Sequence, residues 1–261
     1  MSGNKTAVVT GGASGIGEAT VMRFAAAGWT VVIGDINVER AGIVAEAARE
    51  AGAAAVHVIP LDLADETSVA AFAERTDDEC GSVDAVVNSG GILQNGIRFN
   101  DMPVDEFDAV WRINVRGTLL INQAFGRRMT VAGSGSIINM CSLTTYRPSP
   151  QPAYAPAKVA LKSMTETMAA DFGPSGVRVN AVAPGYTLTP AMKARIDEGA
   201  RDPQAILDKS AIKRLVEPSD VAEAVFFLCS DAASAITGVV LPVDCGWLAY
   251  SAYTSYASQP G

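Results

Sequence analysis

Apolar positions along the chain fall into short β-branched runs, separated by longer alanine-rich stretches in which polar residues recur with a helical period. The runs occupy residues 7–10, 30–33, 55–59, 85–88, 136–140, 177–182 and 239–243. Each is only a few residues long and apolar on both faces, the pattern of a strand inside a parallel sheet that is covered on both sides. Between them the periodicity predicts helices over 16–27, 38–51, 66–79, 104–129, 153–172 and 219–230. Gly28, Gly52 and Gly173 stand where helices should end, and Pro218-Ser219-Asp220 supplies a start for the last one. A repeated strand-helix order predicts an α/β chain: a doubly wound, parallel, seven-stranded sheet with helices on both faces, in three layers.

No linker divides the pattern, so residues 1–247 are expected to form one domain. Two segments depart from it. Residues 189–215, before the last long helix, are long enough for a substrate loop. Residues 248–261, rich in Ser, Ala and Tyr, read as a C-terminal tail that is either disordered or docked on a neighbouring subunit. With 261 residues, 49% of them hydrophobic and 18% charged, the chain can bury a full core. Twenty basic residues against 28 acidic ones leave a net charge of -8, which argues against nucleic acid as a partner. Cys80, Cys141, Cys229 and Cys245 are scattered and His57 is the single histidine, so neither a disulfide framework nor a metal site is expected. The start shows no secretory pattern, and the least polar later stretch, 232–243, is too short to span a bilayer; a cytoplasmic location without membrane contact is expected.

The first expected strand runs into TGGASGIG, Thr10 to Gly17, with Gly11, Gly15 and Gly17 in a G-x-x-x-G-x-G spacing. Such glycines allow a tight turn and close approach of a pyrophosphate, which the free N–H groups of the following helix would receive. Alone, the turn could be a plain strand-to-helix connection. Its position sharpens it, because the second strand ends at Asp35, eighteen residues after Gly17. An acid there accepts hydrogen bonds from a ribose diol and repels a 2'-phosphate, pointing to NAD rather than NADP. No lysine or arginine lies within the turn or immediately after Asp35.

Tyr154 and Lys158 stand four apart, on one face of an expected helix. A phenol near its ordinary pKa of 10 is a poor base at neutral pH, and lowering it by roughly three units takes about 4 kcal/mol of differential stabilisation. A nearby ammonium and a cationic nicotinamide would act in that direction. Taken together, TGGASGIG, Asp35, Asn88-Ser89-Gly90-Gly91, Asn114, Ser142, Tyr154, Lys158 and Pro184-Gly185 have the order and spacing of the short-chain dehydrogenase/reductase family, which the chain resembles from about Lys5 to Trp247. The resemblance implies a Rossmann-like fold and hydride transfer between a secondary alcohol or ketone and NAD. It implies Tyr154 as acid/base, Ser142 as the group that polarises the substrate oxygen, Lys158 on the tyrosine and the nicotinamide ribose, and Asn114 on a relay water.

By the same resemblance Gly11, Ser14, Gly15, Ile16 and Gly17 would lie at the phosphates, Asp35 at the adenosine ribose, and Asp62 and Leu63 at the adenine. Asn88 and Gly90 would meet the adjoining ribose region, and Pro184, Gly185, Thr187 and Thr189 the carboxamide. The sequence departs from the usual pattern in Asn88-Ser89-Gly90-Gly91, which lacks the usual second Asn and Ala, in Thr187, where a β-branched apolar residue is more usual, and in three further places. Ser142 precedes Tyr154 by twelve residues, one fewer than in many members; Cys141 takes a serine-like position before it; and Cys245 replaces a common glycine. Position nominates Gln94, Leu143, Gln151, Tyr186 and Met192 for the substrate pocket. The two glutamines favour a substrate with a second oxygen, such as a polyol, sugar or hydroxy-ketone. The family's habit implies a homotetramer built on the helices over 104–129 and 153–172, whose small residues suit close packing. Two other readings stay open: a nucleotide sensor that holds NAD(H) without turnover, and a non-redox dehydratase or epimerase on the same scaffold.

Overall fold

The structure is a computed structural model and describes residues 5–256. Seven strands form one parallel sheet in the order β3-β2-β1-β4-β5-β6-β7. They are β1 (Thr6–Thr10), β2 (Thr30–Asp35), β3 (Ala55–Pro60), β4 (Ala85–Asn88), β5 (Gly135–Met140), β6 (Val177–Pro184) and β7 (Val240–Val243). The helices between them are α1 (Gly15–Ala26), α2 (Val38–Glu50), α3 (Glu66–Cys80), α4 (Val104–Trp111), α5 (Thr118–Ala132), α6 (Tyr154–Phe172), α7 (Pro190–Asp197), α8 (Pro203–Leu207), α9 (Pro218–Cys229) and α10 (Trp247–Tyr253).

The inner strands are buried almost throughout because they carry small, largely β-branched residues on both faces and helices cover both, while the edge strands β3 and β7 are half-buried. One apolar cluster lies under α1, α2 and α9, with Phe24, Trp29 and Phe226 in edge contacts. The other lies under α3, α5 and α6, around Phe72 and Phe125. Strand order reverses between β1 and β4, where Thr10 sits beside Asn88. A doubly wound sheet opens a crevice at that point, beyond the carboxyl ends of the strands.

Three expectations change. The helix over 104–129 is two helices, α4 and α5, joined by a π-helical turn at Arg112–Gly117. Residues 189–215 carry the short helices α7 and α8, each begun by a side chain cap, Thr189 and Asp202, followed by proline. The stretch after residue 247 is no detached tail: α10 packs Trp247 and Leu248 against Leu143, Tyr186 and Ile206. The end of the expected tail, 257–261, lies outside the described residues.

Candidate active site

A cleft of about 470 Å³ opens at the reversal point, within the range of small-molecule sites. Its floor is the glycine turn. A Cβ on Gly11 would stand 2.6 Å from the Cα of Gly90, and one on Gly17 only 2.0 Å from the Gly11 carbonyl oxygen. Both positions therefore exclude any side chain, Gly11 also by its φ of +65°. Ser14, Gly15 and Ile16 line the cleft at the start of α1, and Ser14 makes no side-chain cap, so the first N–H groups of this helix face the cleft without a side-chain acceptor from their own cap. An elongated anionic group such as a pyrophosphate fits this backbone cradle.

At one end of the cleft lie Asp35, Asp62 and Leu63 with the exposed Ile36. The Asp35 carboxylate accepts from Ala13 N–H at 3.0 Å and from Asn37 N–H at 2.9 Å, which ties the end of β2 to the turn and fixes the acid's direction. A basic residue that the sequence reading did not flag, Arg40 in the first turn of α2, is paired with α1. Its guanidinium is engaged by both carboxylate oxygens of Glu18, at 2.7 and 2.9 Å.

At the other end are Tyr154 and Lys158, the latter buried, on the first turn and a half of α6. Burial pushes the Tyr154 phenol up to about 12, and a hydrogen bond with the Ser142 hydroxyl offsets part of that. Burial also lowers the Lys158 ammonium to about 8. Lys158 Nζ donates to the Met140 carbonyl at 2.7 Å and stands 5.3 Å from the centre of the Tyr154 ring. The expected depression of the phenol is thus not a property of the chain by itself: desolvation outweighs the groups that stabilise phenolate here. With the shorter spacing, the Ser142 hydroxyl accepts from Thr144 N–H at 3.3 Å and acts on the phenol against the effect of burial. Cys141 is a packed residue whose thiol is pushed up to about 11 by burial, the opposite of an activated nucleophile.

Asn114 sits on the π-helical turn, buried, with its whole carboxamide on one residue: Oδ1 accepts from Ile92 N–H at 2.8 Å and Nδ2 donates to Ile92 C=O at 2.9 Å. The extra residue of the wider turn aims this side chain at the loop after β4, a use of π-turns that recurs at functional sites. Two residues on, Gln94 is buried rather than pocket-lining. Its Oε1 accepts from the N–H groups of Ala153 and Tyr154, both at 3.0 Å, and its Nε2 faces Met102 Sδ. Gln151 likewise spends its amide on protein, donating to the Gln94 carbonyl at 2.6 Å and accepting from Ser149. Buried and turned onto the start of α6, Gln94 does not recognise a polyol, which corrects the expectation drawn from its position, whereas half-buried Gln151 keeps the second N–H of its amide.

Beside Ser142 lies an apolar cluster that is packed as core and does not line the cleft, so Leu143 and Tyr186, nominated for the substrate pocket, are packing residues here. Leu143, Ile206 and Trp247 are packed together, with Tyr186, Leu215 and Leu248 against them and the Tyr186 and Trp247 rings 5.5 Å apart. Met192 lies half-buried on α7, and from the same helix Arg195 reaches across to Asn95 Oδ1 at 2.8 Å, joining the loop over 189–215 to the loop after β4. Of the expected cofactor residues, Thr189 borders the cleft with Pro190 and Ala191, whereas Gly17, Asn88, Pro184, Gly185 and Thr187 lie behind it. Thr187 is buried with its hydroxyl on the Gly185 carbonyl, and Asn88 donates to Asn122 and Asn139 beneath the sheet's edge. Sequence reasoning missed Ile92, Leu93, Ile113 and Met140 as lining residues; only the continuation of the Asn88–Gly91 turn could have signalled the first two. Among the described residues no group of acids, histidines and cysteines could hold a metal, and no helix is long and apolar enough to cross a membrane.

Comparison with known proteins agrees with this geometry. Residues 11–248 match the family model described as enoyl-(acyl carrier protein) reductase. The chain is 41% identical to the cis-4-hydroxycyclohexanecarboxylate dehydrogenase of Sinomonas cyclohexanicum, over 94% of this chain and 97% of that one. It is 37% identical to the galactitol 2-dehydrogenase of Cereibacter sphaeroides, over 92% and 94%. A crystal structure from Brucella melitensis 16M, described as ribose-5-phosphate isomerase, superimposes with a TM-score of 0.93 at 38% identity, over 99% of this chain and 98% of the other.

Proposed function

Because the chain belongs to the short-chain dehydrogenase/reductase family, whose members use nicotinamide cofactors, and is an oxidoreductase of hydroxyl groups, we propose that it interconverts a secondary alcohol and its ketone with NAD. The observation that carries this reading is the pairing of Tyr154 with Ser142 and Lys158 at one end of a cleft whose other end is Asp35. A nicotinamide held by the glycine turn and Asp35 would, when bound, supply the hydride chemistry. Everything else is asked of the chain. Ser142 and Tyr154 present two hydroxyls to one substrate oxygen; Tyr154 holds its proton firmly and can deliver it to a developing alkoxide. In the oxidative direction Lys158, 5.3 Å from the ring, favours phenolate as long as it carries its proton. The carboxamide of Asn114 is spent on Ile92, so a relay water on this residue would take its main-chain carbonyl.

The choice of NAD rests on Asp35, an acid at the end of β2 on the lining of the cleft. The apolar side chains of Ile92 and Leu93 on the cleft support an alcohol with a hydrocarbon body, an alicyclic one foremost, in line with the ring in the name of the Sinomonas relative. A homotetramer belongs to the same reading and is supported by Leu119 and Val159, exposed on α5 and α6. The test is formation of reduced cofactor with cyclohexanols, hydroxysteroids and sugar alcohols, each with NAD and with NADP. Net reduction of NAD by an alicyclic alcohol, at least about tenfold more efficiently than of NADP, is expected, a discrimination worth roughly 1.4 kcal/mol. Equal use of NADP contradicts the role of Asp35, and interconversion of isomers without net reduced cofactor contradicts the dehydrogenase reading.

A further inference from the structure

Helix α6 begins with the acid/base residue and has no cap of its own: Ala153 stands at its N-cap position and offers no side-chain acceptor. The first N–H groups of a helix need partners, and burying them without one costs free energy. Here Ala153 is fully buried, yet two of these N–H groups, those of Ala153 and Tyr154, converge on a single oxygen brought from elsewhere in the chain, Gln94 Oε1, at 3.0 Å each. Two donors on the same atom also fix which end of this amide is oxygen. Gln94 is itself 1% exposed. Its main-chain carbonyl accepts from the Gln151 amide at 2.6 Å, and three residues on Ile97 N–H donates to the Pro150 carbonyl at 2.8 Å, so the loop lies along the segment that leads into α6. Two residues before Gln94, Ile92 is gripped through both main-chain groups by Asn114. The loop from Ile92 to Ile97 is therefore a strap fastened to Asn114 at one end and to Pro150 at the other, with Gln94 between them on the start of α6.

We propose that Gln94 is a positioning residue for Tyr154: it caps α6 from the loop after β4 and so sets where the phenol stands relative to Ser142 and Lys158. The proposal rests on Tyr154 as the acid/base but makes a separate claim. Tyr154 turns on its own backbone, so a shift of the first turn of α6 moves the hydroxyl with it, and displacements of about 1 Å can cost on the order of a hundredfold in rate. The titratable neighbours that face the phenol are Lys158, on its own helix, and Cys141 at the end of β5, with the Ser142 hydroxyl beside them. Gln94 adds no charge to this set, which makes a charged replacement informative.

The test uses Gln94→Leu, which removes the acceptor, and Gln94→Glu, which keeps an oxygen for both N–H groups and adds a charge at the helix start. In the cofactor-free protein, hydrogen exchange at the Ala153 and Tyr154 amides should quicken about tenfold or more in Gln94→Leu and stay near wild type in Gln94→Glu. With the panel alcohol that the wild type oxidises fastest, Gln94→Leu should lower kcat about tenfold while KM and NADH affinity stay within about twofold. Gln94→Glu should recover most of kcat but with its pH inflection moved upward, because a nearby negative charge disfavours phenolate. A purely structural cap would lower thermal stability without splitting kcat from KM or moving that inflection. Unchanged exchange in Gln94→Leu, wild-type kcat in Gln94→Leu, or an unmoved inflection in Gln94→Glu overturns the proposal. Should Gln94→Leu not fold, the inflection of Gln94→Glu decides alone. A wild type that oxidises no panel alcohol counts against the dehydrogenase reading instead, and the exchange measurement still decides whether Gln94 is the cap.

Discussion

Around the glycine turn the cleft is shaped by main chain against main chain, Gly11 against Gly90 and Gly17 against the Gly11 carbonyl. Around Tyr154 it is shaped by side chains reaching distant main chain, Asn114 to Ile92, Gln94 to Tyr154 and Lys158 to Met140. The first kind of site tolerates no added atom, because backbone cannot step aside. The second kind tolerates shape changes but depends on particular donors and acceptors, each of which holds a reacting group in place. One half is thus vulnerable to bulk and the other to lost hydrogen bonds.

Gly17→Ala probes the first half most severely. Its new Cβ would stand 2.0 Å from the Gly11 oxygen, so α1 must move away from the turn. A loss of several kcal/mol, roughly 3 or more, is expected from overpacking, with NADH binding in a fluorescence titration weakened by about a hundredfold or beyond measurement. Wild-type affinity in this variant would show that the turn is not the phosphate cradle.

Lys158→Met probes the second half from the side of stability. The ammonium is buried and its pKa lies near 8 instead of 10.5, so the unfolded chain binds the extra proton between those values. Stability of the wild type is therefore penalised fully below about pH 8 and the penalty fades as pH rises through 8 to 10.5. Replacing the lysine should stabilise the fold by up to about 3 kcal/mol near pH 7, with the gain shrinking toward pH 10.5, while alcohol oxidation is lost. Chemical denaturation of both proteins at two pH values checks it; a destabilised variant at pH 7 would mean that the Met140 hydrogen bond outweighs desolvation.

The smallest effect lies outside both halves. Cys245 has a φ of +53° after β7, the one non-glycine residue with positive φ among those described. Restoring glycine should raise stability by about 0.5–1 kcal/mol, seen as a higher thermal midpoint with unchanged kinetics. No gain would show that the packing of the Cys245 side chain against its apolar neighbours is worth as much as the strain.

The same contrast explains what could be read from sequence. Strands, the glycine turn, Asp35 and the Tyr154–Lys158 pair are local patterns: β-branched runs, glycines where no Cβ fits, two residues on one helix face. They were legible because a few neighbouring positions determine them. The wide turn at Arg112–Gly117 was not, since a 3.6-residue period runs through it unbroken and only the bond from Asn114 to Ile92 marks it. Gln94 and Gln151 looked like free polar groups in a pocket, because their partners lie 59 and 57 positions away. Helix α10 was hidden for a similar reason: an alanine- and tyrosine-rich end is weakly amphipathic, and it is the contact of Trp247 with Leu143 and Tyr186 that folds it back. Arg40 escaped notice because it pairs with Glu18 on α1 and not with any nearby position in sequence.

The central claim is that one phenol on the cleft, that of Tyr154, moves the proton. It is tested by Tyr154→Phe, with NADH binding followed by fluorescence and turnover followed by formation of reduced cofactor with the best panel alcohol. The account predicts cofactor affinity within about twofold of wild type and turnover reduced by roughly a thousandfold or more, the scale of a lost general acid or base. Turnover within about tenfold of wild type, with the fold intact, would mean that another group carries the proton and that Tyr154 only shapes the cleft.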